Sequence, residues 1–481
     1  MTGNVLAIDQ GTSGTKALVV SPARGVIGSA EVAIRPRYGD GGLVEQDPGE
    51  LLASVVEAGR RALEAAGETV EAIGLANQGE TVLAWDRDTG RPLTDLIVWQ
   101  DRRAESVCAR LASDAEELAA VSGLWLDPYF AAPKMAWLRE NRTREGVVTT
   151  SDAWLVHRLT GAFVTDASTA SRTMLLDLAS TSWSPIALAA FDLAGEDLPV
   201  VVDAAGSFGE TTCFGTPAIP LTGLLVDQQA ALLGQSCLQP GTAKCTYGTG
   251  AFVLANAGTS PVRSTSGLTT SVAWRLGGEA TYCLDGQVFT VASAVRWLTD
   301  LGVVGGAEDL DRLGGSVRDA GGVTFVPALA GLGGPWWRGD ARGSITGLRL
   351  DTSPAHLARA LVDGIASQVV ELVSALAADQ GAPPSSLRVD GGLTRSRLLM
   401  QTQADLLQVP VEVFASPDAT SLGVAAAARI GLGSGPGETL EAALGPWHPA
   451  AVYEPAISAD EAGVRRETFL AAVAASLEVR P

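Results

Sequence analysis

The chain has 481 residues, 46% of them hydrophobic and 18% charged, which is a globular composition long enough for two domains. Its formal net charge of −20 removes the basic surface that nucleic-acid binding needs. Positive charge is carried almost wholly by Arg, with lysine only at Lys16, Lys134 and Lys244.

The five cysteines are scattered and form no CxxC pair, which fits a reducing cytoplasm better than a disulfide framework. His157, His356 and His448 lie far apart in sequence, so a histidine metal site or triad is not expected. No basic n-region opens the chain and no run of 18 apolar residues appears, so neither a signal peptide nor a membrane span is expected.

In chain order, Val5–Ile8 reads as a buried strand ending at Asp9, Gln10–Thr15 as a turn, and Lys16–Val20 as the return strand. Asp47-Pro48 signals a helix start, and Glu50–Ala66 is helical with Leu51, Leu52, Val55, Val56 and Leu63 on its apolar face. Ile73–Ala76 is a core strand delivering Asn77-Gln78-Gly79-Glu80. Ser151 or Asp152 caps a helix that runs to about Leu159 and closes at Gly161. Near Leu238–Gly241 the pattern restarts. Thr242–Ala255 reads as a second hairpin with Tyr247-Gly-Thr-Gly at its turn, and a helix over Pro354–Ala378 leads into strand Leu387–Val389. That strand ends in Asp390-Gly-Gly, before a helix from about Ser396 to Leu407. Two related α/β domains, 1–238 and 239–481, are expected.

Three Gly-rich turns follow strands: Asp9-Gln-Gly-Thr-Ser-Gly-Thr, Thr246-Tyr-Gly-Thr-Gly and Asp390-Gly-Gly. Glycine lets backbone N–H groups approach an anion, and Thr and Ser hydroxyls add donors. No GxxxxGK[ST] is present, so a simple P-loop enzyme is excluded.

The order and wording of these segments resemble the FGGY carbohydrate kinases of the actin, Hsp70 and hexokinase superfamily, with the glycerol kinase subgroup nearest. The likeness is carried by Ala7-Ile-Asp-Gln-Gly-Thr, Val44-Glu-Gln-Asp-Pro, Asn77-Gln-Gly-Glu-Thr and Ile97-Val-Trp-Gln-Asp-Arg-Arg. It continues through Asp127-Pro-Tyr-Phe, Ala170-Ser-Arg-Thr-Met-Leu, Val226-Asp-Gln-Gln-Ala-Ala-Leu, Cys245-Thr-Tyr-Gly-Thr-Gly, Ala330-Gly-Leu-Gly-Gly-Pro-Trp-Trp and Val389-Asp-Gly-Gly.

The resemblance implies two actin/hexokinase-like (ribonuclease H-like) ATPase domains with a cleft between them, and ATP and Mg²⁺ as cofactors. It makes Asp227 the general base and Asp9 the Mg²⁺ ligand, through water. Thr12, Ser13 and Lys16 fall near the terminal phosphates, Thr249 at the ADP position and Gly392 beside the nucleoside. Ala292, Arg296 and Ser396 stand where glycerol kinases carry Gly, Gln and Asn, which loosens the individual adenine and ribose contacts.

For the acceptor, the matching positions are Glu80, Trp99, Tyr129, Asp227, Gln228 and Phe252: carboxylate and amide groups for hydroxyls, aromatic rings for C–H faces. Gly79 replaces an Arg that donates to an acceptor hydroxyl in glycerol kinases. Its loss is expected to remove donors and open room, favouring a four- or five-carbon polyol or ketose. The partner is therefore a small polyol or sugar, with no nucleic acid and no membrane, and a homodimer is compatible with the family. A ketose kinase of the xylulose or ribulose type is the alternative. An actin-like or Hsp70-like ATPase is the competing class, disfavoured by the acceptor segments around Asn77–Glu80 and Trp99.

Overall fold

The computed structural model describes residues 3–215, 217–433 and 439–478. Two large sheets dominate, and each is built on the same plan. In the first, strands Val5–Gln10, Gly14–Ser21 and Gly25–Ala33 form an antiparallel meander. Ala72–Asn77 and then Ile219–Val226 add on the other side in parallel, and Glu210–Thr211 closes the edge. In the second, Ala243–Tyr247, Ala251–Gly258, Glu279–Val288 and Thr269–Leu276 are antiparallel. Leu387–Asp390 and Val411–Phe414 add in parallel to Ala243–Tyr247, and Pro449–Tyr453 closes that edge. The restart expected near residue 238 is this repeated sheet.

The first hairpin pairs Val5 with Val20 and Asp9 with Lys16, so the carboxylate and the ammonium leave the sheet side by side. Helix Pro48–Ala66 begins as the sequence indicates: Asp47 Oδ1 accepts from the Glu50 amide at 2.9 Å, and proline occupies the first turn. Helix Ser151–Thr160 ends at Gly161 in the left-handed conformation, also as expected. Its expected cap is corrected. Thr150 holds the N-cap position without a side-chain capping bond, and buried Asp152 instead accepts from Thr165 Oγ1 at 2.6 Å. The third meander strand, Gly25–Ala33, has mixed exposure that gives no clean alternation for a sequence reading to find.

Each half has its own apolar core, around Leu6, Ile8, Leu51, Val55, Ile73 and Leu221 in the first, and Val253, Leu284, Leu361, Ile365, Leu387 and Val389 in the second. A further cluster joins them: Val5, Ala7, Leu225, Leu232, Leu254, Val424 and Ala428 pack together. Helix Ala419–Gly431 makes this seam. A Cβ on Gly234 would sit 1.9 Å from the Ala419 carbonyl, and one on Gly423 1.9 Å from the Ala230 carbonyl. Helices Asp227–Gly234 and Ala419–Gly431 therefore cross at a distance only glycine permits. Helix Pro354–Gln380 is long and apolar enough to cross a membrane by length and composition. Its most apolar stretch is 83% buried inside the fold, and it serves as the central core helix of the second half.

Candidate active site

The parallel strands of the first half deliver chemistry at their C-terminal ends. Val5–Gln10 carries Asp9, Ala72–Asn77 leads to Glu80, and Ile219–Val226 ends one residue before Asp227. Asp227 is the first residue of helix Asp227–Gly234, and its Oδ1 accepts from the Gln228 amide at 2.6 Å. The strand-to-helix junction thus holds the carboxylate in place and leaves its other oxygen for a ligand. Burial pushes the Asp227 carboxyl up to about 7, and Glu80 adds to the rise; the Gln228 amide, Lys244 and Arg172 oppose it.

Glu80 sits in the left-handed region, with φ 57°, a conformation that a glutamate adopts only when its surroundings hold it there. The holder is Arg172. Its Nε donates to Glu80 Oε1 and its Nη1 to Asp285 Oδ2, both at 2.6 Å. Arg172 ends the short helix Ala167–Ser171, whose N-cap Asp166 accepts from the Ser168 and Thr169 amides. Asp285 lies on strand Glu279–Val288 of the second half and is itself fixed by Thr269 Oγ1 at 2.6 Å. One buried guanidinium therefore ties the Glu80 turn to the second sheet. These residues, with Tyr129, Val226, Asp227, Gln228 and Phe252, line a small cavity.

The aromatic wall assembles from three segments. Trp99 meets Tyr129 edge-on at 5.6 Å and Phe252 at 6.1 Å between ring centroids. Trp99 Nε1 donates to Thr12 Oγ1 at 2.8 Å, so this aromatic wall touches the first Gly/Thr turn. Tyr129 is placed by its backbone: its amide donates to Asp127 Oδ1 at 2.8 Å. The fully buried Lys134 ammonium donates to the carbonyls of Pro128, Tyr129 and Phe130 at 2.9, 2.5 and 2.6 Å. Burial pulls the Lys134 ammonium down to about 7, with Glu80 opposing.

Beyond the aromatic wall, Asp9 faces a crowd of like charges. Its carboxyl is pushed up to about 7 by burial, by Asp227, and then by Asp418 and Asp390, against the pull of Lys16. Lys16 pairs with Asp418, which precedes helix Ala419–Gly431. From the Asp227 helix, Gln228 Oε1 accepts from buried Lys244 Nζ at 2.6 Å, Lys244 also donates to Thr246 Oγ1 at 2.9 Å, and Thr246 Oγ1 donates to Asp390 Oδ1 at 2.6 Å. A continuous polar chain runs from the Asp227 helix to the Asp390 turn. That turn lies against the second hairpin, where a Cβ on Gly391, with φ 98°, would meet the Tyr247 carbonyl at 2.4 Å.

The sequence-derived nucleotide positions divide. Ser13, Thr249, Gly392 and Arg296 are exposed, and Thr12 and Lys16 are half-buried at the first turn. Ala292 opens helix Ala292–Asp300, its amide donating to the Gly248 carbonyl at 3.2 Å, and Arg296 follows one turn later on that helix. Ser396 is different: it is buried, accepts from the Leu399 amide at 3.1 Å as the N-cap of helix Arg397–Leu407, and donates to Asp311 at 2.5 Å. Its hydroxyl is committed to the protein. A Cβ on Gly79 would meet Val226 Cγ2 at 2.9 Å, so the open room expected there is partly filled. Sequence reasoning left Arg172, Asp285, Lys134, Lys244 and Asp418 out of the site. Arg172 stands inside a quoted motif, and three lysines in 481 residues is itself a signal that each is placed.

The family model for the N-terminal domain of FGGY carbohydrate kinases matches residues 4–234, and that for the C-terminal domain matches 243–432. The chain belongs to the FGGY family of carbohydrate kinases. Members transfer phosphate to an alcohol, and ATP is the donor that the family implies. A glycerol kinase of Aromatoleum aromaticum is 44% identical over 97% of this chain and 96% of its own length. One from Thermus brockianus is 45% identical over 89% and 90%. Among solved structures, the Plasmodium falciparum glycerol kinase with ADP superposes with a TM-score of 0.91 at 30% identity, covering 99% of both chains. The xylulose kinase of Lactobacillus acidophilus shares the fold, with a TM-score of 0.90 at 20% identity over 99% of both chains.

Proposed function

We propose that this FGGY kinase phosphorylates a hydroxyl of a small polyol, with glycerol the first candidate, and that Asp227 accepts the hydroxyl proton as the γ-phosphate is transferred. The observation that carries the reading is a buried carboxylate, raised to about 7, in a small cavity walled by Tyr129 and Phe252 and flanked by the Glu80–Arg172 pair. A base poised near neutral pH is matched to abstraction in the transition state. Glu80 and Arg172 give the acceptor one hydrogen-bond acceptor and one donor, and the rings pack on its C–H faces. The 44% and 45% identical glycerol kinases support a three-carbon acceptor.

Mg²⁺ fits the phosphate side. Asp9, Asp227, Asp390 and Asp418 raise the demand for positive charge there, and burial with the Asp227 charge pushes the Asp9 carboxyl up. Among the described residues no three His, Cys, Asp or Glu side chains converge to hold a bare ion. A cation held there would keep several of its waters and would supply positive charge beside the phosphates. Asp9 would hold it, and the ion supplies charge neutralisation at the phosphates when bound. The Gly/Thr turns at Gly11–Gly14 and Gly248–Gly250 present backbone N–H groups to the phosphates, and Lys16, exchanging Asp418 for phosphate, adds a cation. Residues 1–238 and 239–481 act as two domains closing on the cleft, which limits hydrolysis by water. The five free cysteines fit a cytoplasmic setting.

The test is an ADP-release screen with Mg-ATP over glycerol, erythritol, threitol, arabinitol, xylitol, xylulose, ribulose and gluconate. ADP release is expected to depend on the acceptor and to be fastest with a three- or four-carbon polyol. Turnover at one rate with and without any of them would instead mark an ATPase without a small-molecule acceptor.

A further inference from the structure

We infer that Gly79 and Val226 form a size-complementary pair that sets acceptor specificity, with the Val226 isopropyl group standing where a side chain at position 79 would enter the pocket. The inference rests on the reading of the Asp227 cavity as the acceptor site.

The geometry allows one branched side chain between the two positions. The backbone around Gly79 is fixed on both sides: the Gln78 amide donates to the Gln10 carbonyl and the Thr81 amide to the Gly79 carbonyl, both at 2.7 Å. A Cβ at position 79 therefore has a single direction, and beyond its chain neighbours the only heavy atom within 4 Å of it is Val226 Cγ2, at 2.9 Å. Val226 has no freedom to retreat. It is 2% exposed, pairs with Asn77 in the parallel sheet, and its amide donates to Ser168 Oγ at 3.0 Å. A β-branched side chain is also stiff about χ1.

Val226 lines the acceptor cavity immediately before Asp227, so its methyl groups form part of the wall the acceptor touches. Among the residues lining that cavity Arg172 is the only cation, and its Nε and Nη1 already serve Glu80 and Asp285. The Gln228 carboxamide and Arg172 supply donors from their own places on the lining; at position 79 itself there is no side chain, and Val226 presents only methyl groups there. Such a wall accepts a carbon that carries no hydroxyl as readily as one that does. The substrate class is thus short vicinal diols and deoxypolyols together with triols, not triols alone. A site that donates to the third hydroxyl from a charged group would separate these by roughly 10–100-fold.

Two measurements test this. The first is a melting cycle. Gly79→Ala is expected to lower the melting midpoint by about 3 °C or more, as overpacking does, and to cost less than about 1 °C when Val226→Ala is present. Equal losses in both backgrounds would overturn the pairing. The second is kcat/KM for glycerol against propane-1,2-diol. The ratio is expected to stay below about tenfold in the wild-type protein and to rise at least about tenfold in Gly79→Arg with Val226→Gly. Gly79→Arg alone is expected to lose kcat/KM with both acceptors. If Gly79→Arg alone gives the full rise, Val226 does not control the site and the inference fails. If the wild-type protein releases ADP at one rate with and without both compounds, the acceptor reading falls and the specificity claim with it; the melting cycle still reports the packing on its own.

Discussion

Replacing Arg172 by Met removes the one group that neutralises Glu80 and Asp285 together. All three side chains are no more than 6% exposed, so water cannot take over the role. Breaking a buried pair by deleting one partner typically costs about 3–5 kcal/mol, because the remaining charge is left uncompensated. Here two carboxylates are stranded, and the upper part of that range applies. The Glu80 carboxyl is already raised by burial, with Arg172 the main force holding it down. Without Arg172 its folded-state pKa climbs further above the unfolded value. The loss is therefore largest well above that raised pKa, and shrinks as pH falls and the carboxyl protonates. The assay is urea denaturation of wild type and Arg172→Met at pH 8 and pH 5, with the acceptor KM measured in parallel at pH 8. The expected outcome is a large loss at pH 8, a smaller one at pH 5, and a KM raised at least about tenfold by the lost charged hydrogen bond. Asp285→Asn added to Arg172→Met should recover part of the stability. A loss under about 1 kcal/mol at both pH values, with KM unchanged, would refute the role assigned to this guanidinium.

Two further outcomes are expected. Asp9 titrates at about 7 in the folded protein against an ordinary aspartate value of 3.8, so the folded protein holds its proton more tightly and stability falls as pH rises through that window. Asp9→Asn should therefore be more stable than wild type above pH 7, by roughly 2 kcal/mol after allowing for partial solvent access, with the gap closing toward pH 4; a gap independent of pH would contradict this, and Mg²⁺ should raise the melting midpoint of wild type but not of Asp9→Asn. Lys134→Met should strand the three carbonyls that seat Tyr129 and raise the acceptor KM about tenfold or more while the KM for ATP stays within about twofold; equal effects on both constants would reduce Lys134 to a general structural role.

The parts of the fold legible in the sequence are those written by neighbours in the chain. Asp47-Pro48 caps its helix, Gly161 ends another, and the two Gly/Thr turns close their hairpins, because each depends on residues a few positions apart. The site was legible where a motif carries its own chemistry, as at Asp227 and Glu80. Arg172 was not, since its partners lie 92 and 113 residues away and only the packed sheets bring them together. Lys134 was missed for the opposite reason: its bonds are local, but a lysine near three carbonyls has no sequence signature until burial makes it necessary. Gly79 shows how one position misleads. Its missing side chain reads as empty space, while the space belongs to Val226, 147 positions on in the sequence.

The central claim is that Asp227 takes the acceptor's proton. The most direct test is steady-state phosphoryl transfer by Asp227→Asn, with ATP affinity measured on the same sample. A carboxamide keeps the size and the position at the helix start but cannot accept the proton. The expected result is a fall in kcat of about 10²–10⁴-fold with ATP affinity within about threefold of wild type. A kcat within about threefold of wild type would contradict the claim.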